Sequence, residues 1–144
     1  GKLAQILREV GSARIEVAWG PGEEAVRDAV VASSADAALP MPPTDLLELA
    51  RRLDACDLVV TTDSGPKHIA VAQGTPTLTL FGSTDPAGWQ PPGSGHRALW
   101  NEVDCRPCNL LRCPVPGHPC LDALAPQTVA KAAAGLLEHG EVAS

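Results

Sequence analysis

The chain is 144 residues long and carries 11 Lys and Arg against 17 Asp and Glu, a net charge of −6. That balance argues against a nucleic-acid partner, because binding a phosphate backbone needs a concentrated positive surface. Trp19, Trp89, Trp100 and Phe81 are the only large aromatic side chains and tyrosine is absent, which argues against a base-stacking platform.

In chain order, a helix is predicted over about Leu3 to Val10, ending at Gly11. Arg14 to Ala18 reads as a strand that runs into the turn Gly20-Pro21-Gly22. Glu23 to Val31 is the next helix, its acidic residues favoured by the positive end of the helix dipole. Ala35 to Leu39 is read as a short strand and Pro40-Met41-Pro42-Pro43 as a loop. Thr44 then caps a helix whose buried face is expected from Leu46, Leu47, Leu49, Ala50 and Leu53. Strand 58–61, helix 66–73 and strand 77–81 follow. Proline, glycine and cysteine dominate from Asp85 to Ala125, where regular structure should be sparse. Gln127 to His139 closes the chain as a helix with Val129, Ala133, Leu136 and Leu137 inward. Such alternation means a parallel α/β sheet flanked by helices, a Rossmann-like fold.

Length suits one domain with a real core and leaves no room for a second of similar size. The chain opens at Gly1 without methionine and is read as a piece of a longer protein. No apolar run reaches the roughly 18 residues of a membrane span, and no basic segment with an apolar core opens the chain. A soluble, cytoplasmic domain is the expectation.

The stretch with most chemistry is Asp57 to Pro86. The apolar run Leu58-Val59-Val60 leads into Thr62-Asp63-Ser64-Gly65-Pro66-Lys67-His68, and a second strand leads into Phe81-Gly82-Ser83-Thr84-Asp85-Pro86. Two strand ends and one helix start are thereby brought toward one crevice, where open parallel sheets bind ligands. Pro66 suits the first helical position, since its missing N–H would be unpaired anyway, and Gly65 lets the backbone approach a bound group. Lys67 and His68 fall in the first turn, so this strand-to-helix turn, with Gly82-Ser83-Thr84 as a second one, is chemically suited to a phosphate. His68 and Lys67 are candidate phosphate ligands against the bland alternatives of a solvated histidine and a surface lysine. Asp63 would repel a phosphate, and is expected either to accept from sugar hydroxyls or to cap the helix.

These motifs carry a family resemblance. Asp63-Ser64-Gly65-Pro66-Lys67-His68-Ile69-Ala70, Ala72-Gln73-Gly74-Thr75-Pro76 and Phe81 to Pro86, with Trp19-Gly20-Pro21-Gly22-Glu23-Glu24 and Leu39-Pro40 upstream, resemble the donor site of glycosyltransferase family 9, the heptosyltransferases. The resemblance implies the carboxy-terminal, donor-binding half of a GT-B fold. It implies an inverting transfer of a sugar, most simply heptose from ADP-heptose, to a lipopolysaccharide core acceptor held through an absent amino-terminal domain. That domain would also carry the general base, so no catalytic residue is expected in this chain, which would bind donor without transferring it. The same resemblance places the ribose-binding carboxylate at Glu24, with Glu23 the rival, and sets Thr44, Asp45 and Leu46 beside the adenine. It implies a cytoplasmic enzyme, at most peripherally attached to the inner face of the inner membrane.

Transfer from a nucleotide-sugar requires stabilising the charge that grows on the leaving pyrophosphate. The sequence has no Asp-x-Asp for a divalent metal, so backbone amides and a helix dipole are expected to serve, with no cofactor required. Cys105, Cys108, Cys113 and Cys120 have the spacing C-x2-C-x4-C-x6-C with His118 inside. Such a cluster is a candidate structural zinc site, against free thiols or disulfides formed in handling. Cys56 reads as a small core residue. Two rival functions are a GT-B nucleotide-sugar epimerase, whose Asp-Ser-Gly turn is followed by different residues, and a non-catalytic nucleotide-binding module.

Overall fold

Twelve elements alternate along the chain in a computed structural model that describes residues 1–11 and 14–140. They divide into a first unit over Gly1–Leu46 and a second from Leu47 onward. The first contains α1 (Lys2–Glu9), β1 (Glu16–Val17), α2 (Glu24–Ala32) and β2 (Leu39–Pro40). β1 and β2 pair in parallel, Glu16 opposite Leu39 and Val17 opposite Pro40. Its core is small: Ala4, Ala37 and Ala38 are buried, with Ile15 and Val17 packed against them. The strand expected over Ala35 to Leu39 is shorter and later, because Ala35 and Asp36 both take positive φ (49° and 63°), a conformation no strand can contain. Ser34, fully buried, closes that link by donating to the Val31 carbonyl at 2.7 Å and accepting from the Ala38 N–H at 3.1 Å.

α3 (Leu46–Asp54) begins at the boundary between the units and leads into β3 (Val59–Thr62), α4 (Gly65–Gln73) and β4 (Thr77–Phe81). The short α5 (Pro86–Trp89), β5 (His96–Trp100), the short α6 (Pro119–Asp122) and α7 (Pro126–Gly140) complete the second unit. Its sheet has the order β3-β4-β5, all parallel, with Thr61 opposite Thr79 and Leu80 opposite Leu99. β4 is central and buried on both faces, Thr77, Leu78, Thr79 and Phe81 all being inaccessible, as expected where helices cover a parallel sheet. Phe81 lies beneath Lys67 of α4. Arg97 and Leu99 face α7, which buries Val129, Ala130, Ala132, Ala133 and Leu136.

Three expectations need correction. β5 arises within the stretch read as irregular. His96 to Trp100 is hemmed by Pro91, Pro92, Gly93 and Gly95, so turn residues outweigh a five-residue strand signal that only the ladder from β4 makes decisive. Leu46 and Leu47 are 70% and 62% exposed rather than buried. Leu53 takes the inward position and packs with Val59 and Ala70. Because α3 opens at Leu46, the residue preceding the helix is Asp45, not Thr44.

Candidate functional site

In the second unit β3 ends at Thr62, the chain turns at Asp63 and Ser64, and α4 starts at Gly65 with Pro66 inside its first turn. Ser64 sits at the N-cap with extended dihedrals, but its hydroxyl leaves the helix uncapped. It donates instead to the Thr62 carbonyl at 3.2 Å and meets the Thr61 hydroxyl at 3.3 Å. The amino end of α4 therefore keeps its partial positive charge unanswered by any side-chain cap. Gly74 ends the helix in the left-handed region at φ 83°.

Asp63 turns inward and is not the cap. Its carboxylate accepts from the Nζ of Lys67, and the Thr84 side chain lies near enough to help lower its pKa. His68 Nε2 stands 4.0 Å from the same oxygen. Burial by itself would raise the carboxyl pKa, yet the hydrogen bond from Lys67, the nearby Thr84 side chain and the charges of Lys67 and His68 outweigh it and hold the group below 3.8. Lys67 is wholly buried, against the expectation of a phosphate-facing cation. Its ammonium also donates to the Trp89 carbonyl at 2.9 Å and lies 5.3 Å from the centre of the Phe81 ring. It is a brace: one end of the link is the first turn, the other is the end of α5. Asp63 precedes the extended N-cap Ser64, so the turn ahead of α4, and not a shared helical face, brings its carboxylate back to Lys67 in the first turn. His68 remains 54% exposed in its side chain, edge-on to the Trp89 ring with centroids 6.1 Å apart. Of the two basic residues only His68 has an exposed side chain.

The second turn, Gly82-Ser83-Thr84, follows β4 directly. Arg106 donates from Nε to the Gly82 carbonyl at 2.6 Å, from Nη2 to the Thr84 carbonyl at 3.0 Å and from Nη1 to the Asn101 carbonyl at 3.1 Å. The Ser83 carbonyl accepts from the N–H groups of Cys108 and Asn109 at 3.0 and 2.9 Å. Gly82 also has a steric reason to be glycine, since a Cβ there would stand 3.2 Å from Leu121 of α6. The cysteine-rich segment thus supports the turn through its main chain and through Arg106, a residue the sequence hid between two cysteines. Those cysteines do not fit a zinc ion. Among the described residues no three His, Cys, Asp or Glu side chains converge as ligands, and Cys105, Cys108, Cys113 and Cys120 are free thiols with Cys120 buried.

In the first unit the turn after Trp19 is closed by Glu23, whose Oε2 accepts from the Gly20 N–H at 2.7 Å. That engagement separates the two rival acids, because Glu24 is exposed in the first turn of α2 and makes no side-chain hydrogen bond among the described residues. Trp19 donates from its indole to the Met41 carbonyl at 2.7 Å, and the Arg27 guanidinium stacks 4.2 Å from its ring centre. Thr44 is half-buried, and Asp45 and Leu46 are exposed.

The sequence profile of glycosyltransferase family 9 (heptosyltransferase) matches residues 1–118. The chain belongs to this family. It is 30% identical over 112 residues to lipopolysaccharide heptosyltransferase 1 of Pseudomonas aeruginosa, covering 78% of this chain and 31% of that protein. To lipooligosaccharide heptosyltransferase 2 of Campylobacter jejuni it is 29% identical over 102 residues, 69% of this chain and 31% of the relative. The chain therefore spans about a third of the length of these relatives. Among solved structures, E. coli heptosyltransferase WaaC with ADP-2-deoxy-2-fluoro heptose superposes with a TM-score of 0.66 at 25% identity, over 93% of this chain and 36% of that one. The family 9 glycosyl transferase from Veillonella parvula superposes with a TM-score of 0.77 at 22% identity, over 96% and 40%. The family 9 chain accordingly has an α/β fold, parallel sheets flanked by helices, that matches a part of these GT-B enzymes, and among its described residues no helix is long and apolar enough to cross a membrane.

Proposed function

We propose that this chain is the donor-binding domain of an inverting heptosyltransferase, which holds ADP-heptose while a hydroxyl of the lipopolysaccharide core attacks the anomeric carbon. The observation that carries the reading is the pair of turns at Asp63–Gly65 and Gly82–Thr84, tied together by Asp63, Lys67 and Thr84 around an uncapped helix start. As the bond to the sugar breaks, negative charge grows on the pyrophosphate. Oriented N–H groups and the α4 dipole can stabilise it without reorganising. Lys67 neutralises Asp63 from the buried side, so a carboxylate can stand near phosphates and still accept from sugar hydroxyls on its open edge. His68 supplies an exposed donor beside the same helix start. Glu24 is the proposed acceptor for the ribose hydroxyls. The base that deprotonates the acceptor is assigned to a part of the enzyme outside this chain, as are the acceptor contacts, at the cytoplasmic face of the membrane.

The relative solved with an ADP-heptose analogue supports the choice of donor. Calorimetry tests it: the chain binds ADP in preference to UDP and GDP, with the same affinity in magnesium and in EDTA, and turns over no donor by itself. An absolute requirement for a divalent ion removes the proposed site chemistry, and a preference for UDP or GDP removes the assigned donor.

A further inference from the structure

Arg106 makes three hydrogen bonds, all to main-chain carbonyls, and two of those belong to one short turn. Among the described residues no carboxylate lies within ion-pair distance of it. A half-buried guanidinium without a counter-ion is an unusual arrangement, since burying a charge costs free energy unless something gains from it. What gains is the direction of the neighbouring peptide planes. A trans peptide is planar and its C=O and N–H point in opposite directions. The carbonyls of Gly82, Ser83 and Thr84 are all drawn to the side of Arg106, Cys108 and Asn109. The N–H groups sharing those three peptide planes, on Ser83, Thr84 and Asp85, are therefore driven to the opposite side. None of the three has a hydrogen-bond acceptor among the described residues. The Thr84 side chain lies beside Asp63 and helps lower its pKa, which brings this turn next to the one that opens α4.

We propose that Arg106 is a positioning residue that holds the N–H groups of Ser83, Thr84 and Asp85 as a three-donor cradle for the diphosphate. The inference rests on the donor-binding reading above and adds a residue outside the strand-to-helix turns to its machinery. Arg106 does not touch the ligand. It acts through the turn, by locking three carbonyls away from the anion and by polarising their peptide groups with an unpaired positive charge. Two negative groups face the cradle's surroundings. Asp63 is neutralised by Lys67, and one oxygen of Asp85 accepts from the Ala87 N–H at 3.0 Å. A planar fork is needed because the two turn carbonyls must be held at once, which a lysine ammonium on a single stem cannot reproduce in the same geometry.

The test uses the unaltered chain and Arg106→Lys, with inorganic pyrophosphate, ADP and adenosine as probes. In an amide nitrogen–proton spectrum of the unaltered chain, pyrophosphate should shift the signals of Ser83, Thr84 and Asp85 most. Arg106→Lys should weaken pyrophosphate and ADP about tenfold or more, the loss of charged hydrogen bonds acting through the turn, and leave adenosine binding unchanged. A role confined to stability would lower the melting temperature while the ratio of ADP to adenosine affinity stayed constant, and that result overturns the proposal. So does a map in which the Gly65 amide moves and those of Ser83, Thr84 and Asp85 do not, although the donor-binding reading then survives. If Arg106→Lys fails to fold, the shift map of the unaltered chain decides alone. An unaltered chain that binds neither ADP nor pyrophosphate removes the donor-binding reading, and this proposal with it.

Discussion

The pair formed by Asp63 and Lys67 is asymmetric, and the asymmetry sets what substitution does. Lys67 is wholly buried whereas the Asp63 side chain keeps 9% of its surface open. Asp63→Asn leaves a buried ammonium facing only neutral acceptors and should cost about 3–5 kcal/mol. Lys67→Met leaves a carboxylate that retains Thr84 and an open edge, so its cost in urea unfolding should be clearly smaller. The pH dependence follows from the depressed folded-state pKa of Asp63. The unfolded chain takes up that proton first as pH falls, so the pair's contribution is fully present above pH ~4 and is lost as pH drops through the folded value. Stability curves measured between pH 7 and 3 should fall more steeply for the unaltered chain than for Asp63→Asn. In Lys67→Met the Asp63 pKa should rise, because burial then loses its main opponent. Carboxyl carbon shifts would read this directly. For Glu24 the expectation is separate: Glu24→Gln should weaken ADP about tenfold while pyrophosphate binds as before. Loss on Glu23→Gln instead would mean that the wrong acid carries the ribose, although Glu23→Gln should itself loosen the turn at Gly20.

Among the elements, α4 is the one on which both turns depend, and its two ends are built differently. Its start carries no side-chain cap, and Gly65 there is exposed. Its end is closed by Gly74 at φ 83°, where the N–H donates to the Val71 carbonyl at 3.0 Å and the next N–H, of Thr75, to the Ala70 carbonyl at 3.0 Å. Thr75 is itself anchored by its hydroxyl to the Leu53 carbonyl at 3.0 Å, which joins the end of α4 to the end of α3. A Cβ on Gly74 would meet nothing within 4 Å, so Gly74→Ala isolates the conformational penalty. It should cost about 1–2 kcal/mol and lower the melting temperature by roughly 3–6 °C without changing ADP affinity. A simultaneous loss of ADP binding would show that the helix end, and not only its start, is coupled to the ligand.

At the scale of the molecule, the cysteine-rich segment supports the second turn through its main chain and through Arg106. Cys108 reaches that turn through its N–H, which every residue but proline possesses. Cys108→Ser should therefore leave ADP affinity unchanged, and chelators should leave the melting temperature unchanged, because no three ligands converge there. A fall in melting temperature with EDTA, together with about one zinc per chain by elemental analysis, would restore the zinc reading. Thiol titration of the unfolded chain should find all five cysteines reactive.

Local rules were enough to read the alternating elements, the helix start at Gly65-Pro66 and the two loop motifs. Each depends on residues adjacent in sequence, such as a proline at a helix start or an apolar run that ends in Asp-Ser-Gly. β4 was legible because Thr77-Leu78-Thr79-Leu80-Phe81 joins β-branched to apolar residues between two turn signals, Gly74-Thr75-Pro76 and Gly82-Ser83. β5 was not, because a five-residue strand between Pro91 and Asn101 gains its stability from pairing with Leu78 and Leu80 rather than from its own composition. The family was legible too, since its motifs are short and ordered along the chain. Distance in sequence hid the rest. Lys67 could be placed on a helix but not turned inward, for its burial is set by Trp89, 22 residues away. Arg106 stands 24 residues from the Gly82 carbonyl it holds, and nothing in the spacing of the cysteines around it pointed to that contact. Glu23 and Glu24 look alike as adjacent acids, and only the closure of the Gly20 turn separates them. Sequence by itself determined which segments would fold and which family they serve, because propensity and motif are local. The tertiary structure alone decided which charges are buried, paired or presented, because that depends on partners the chain brings together only when it is folded.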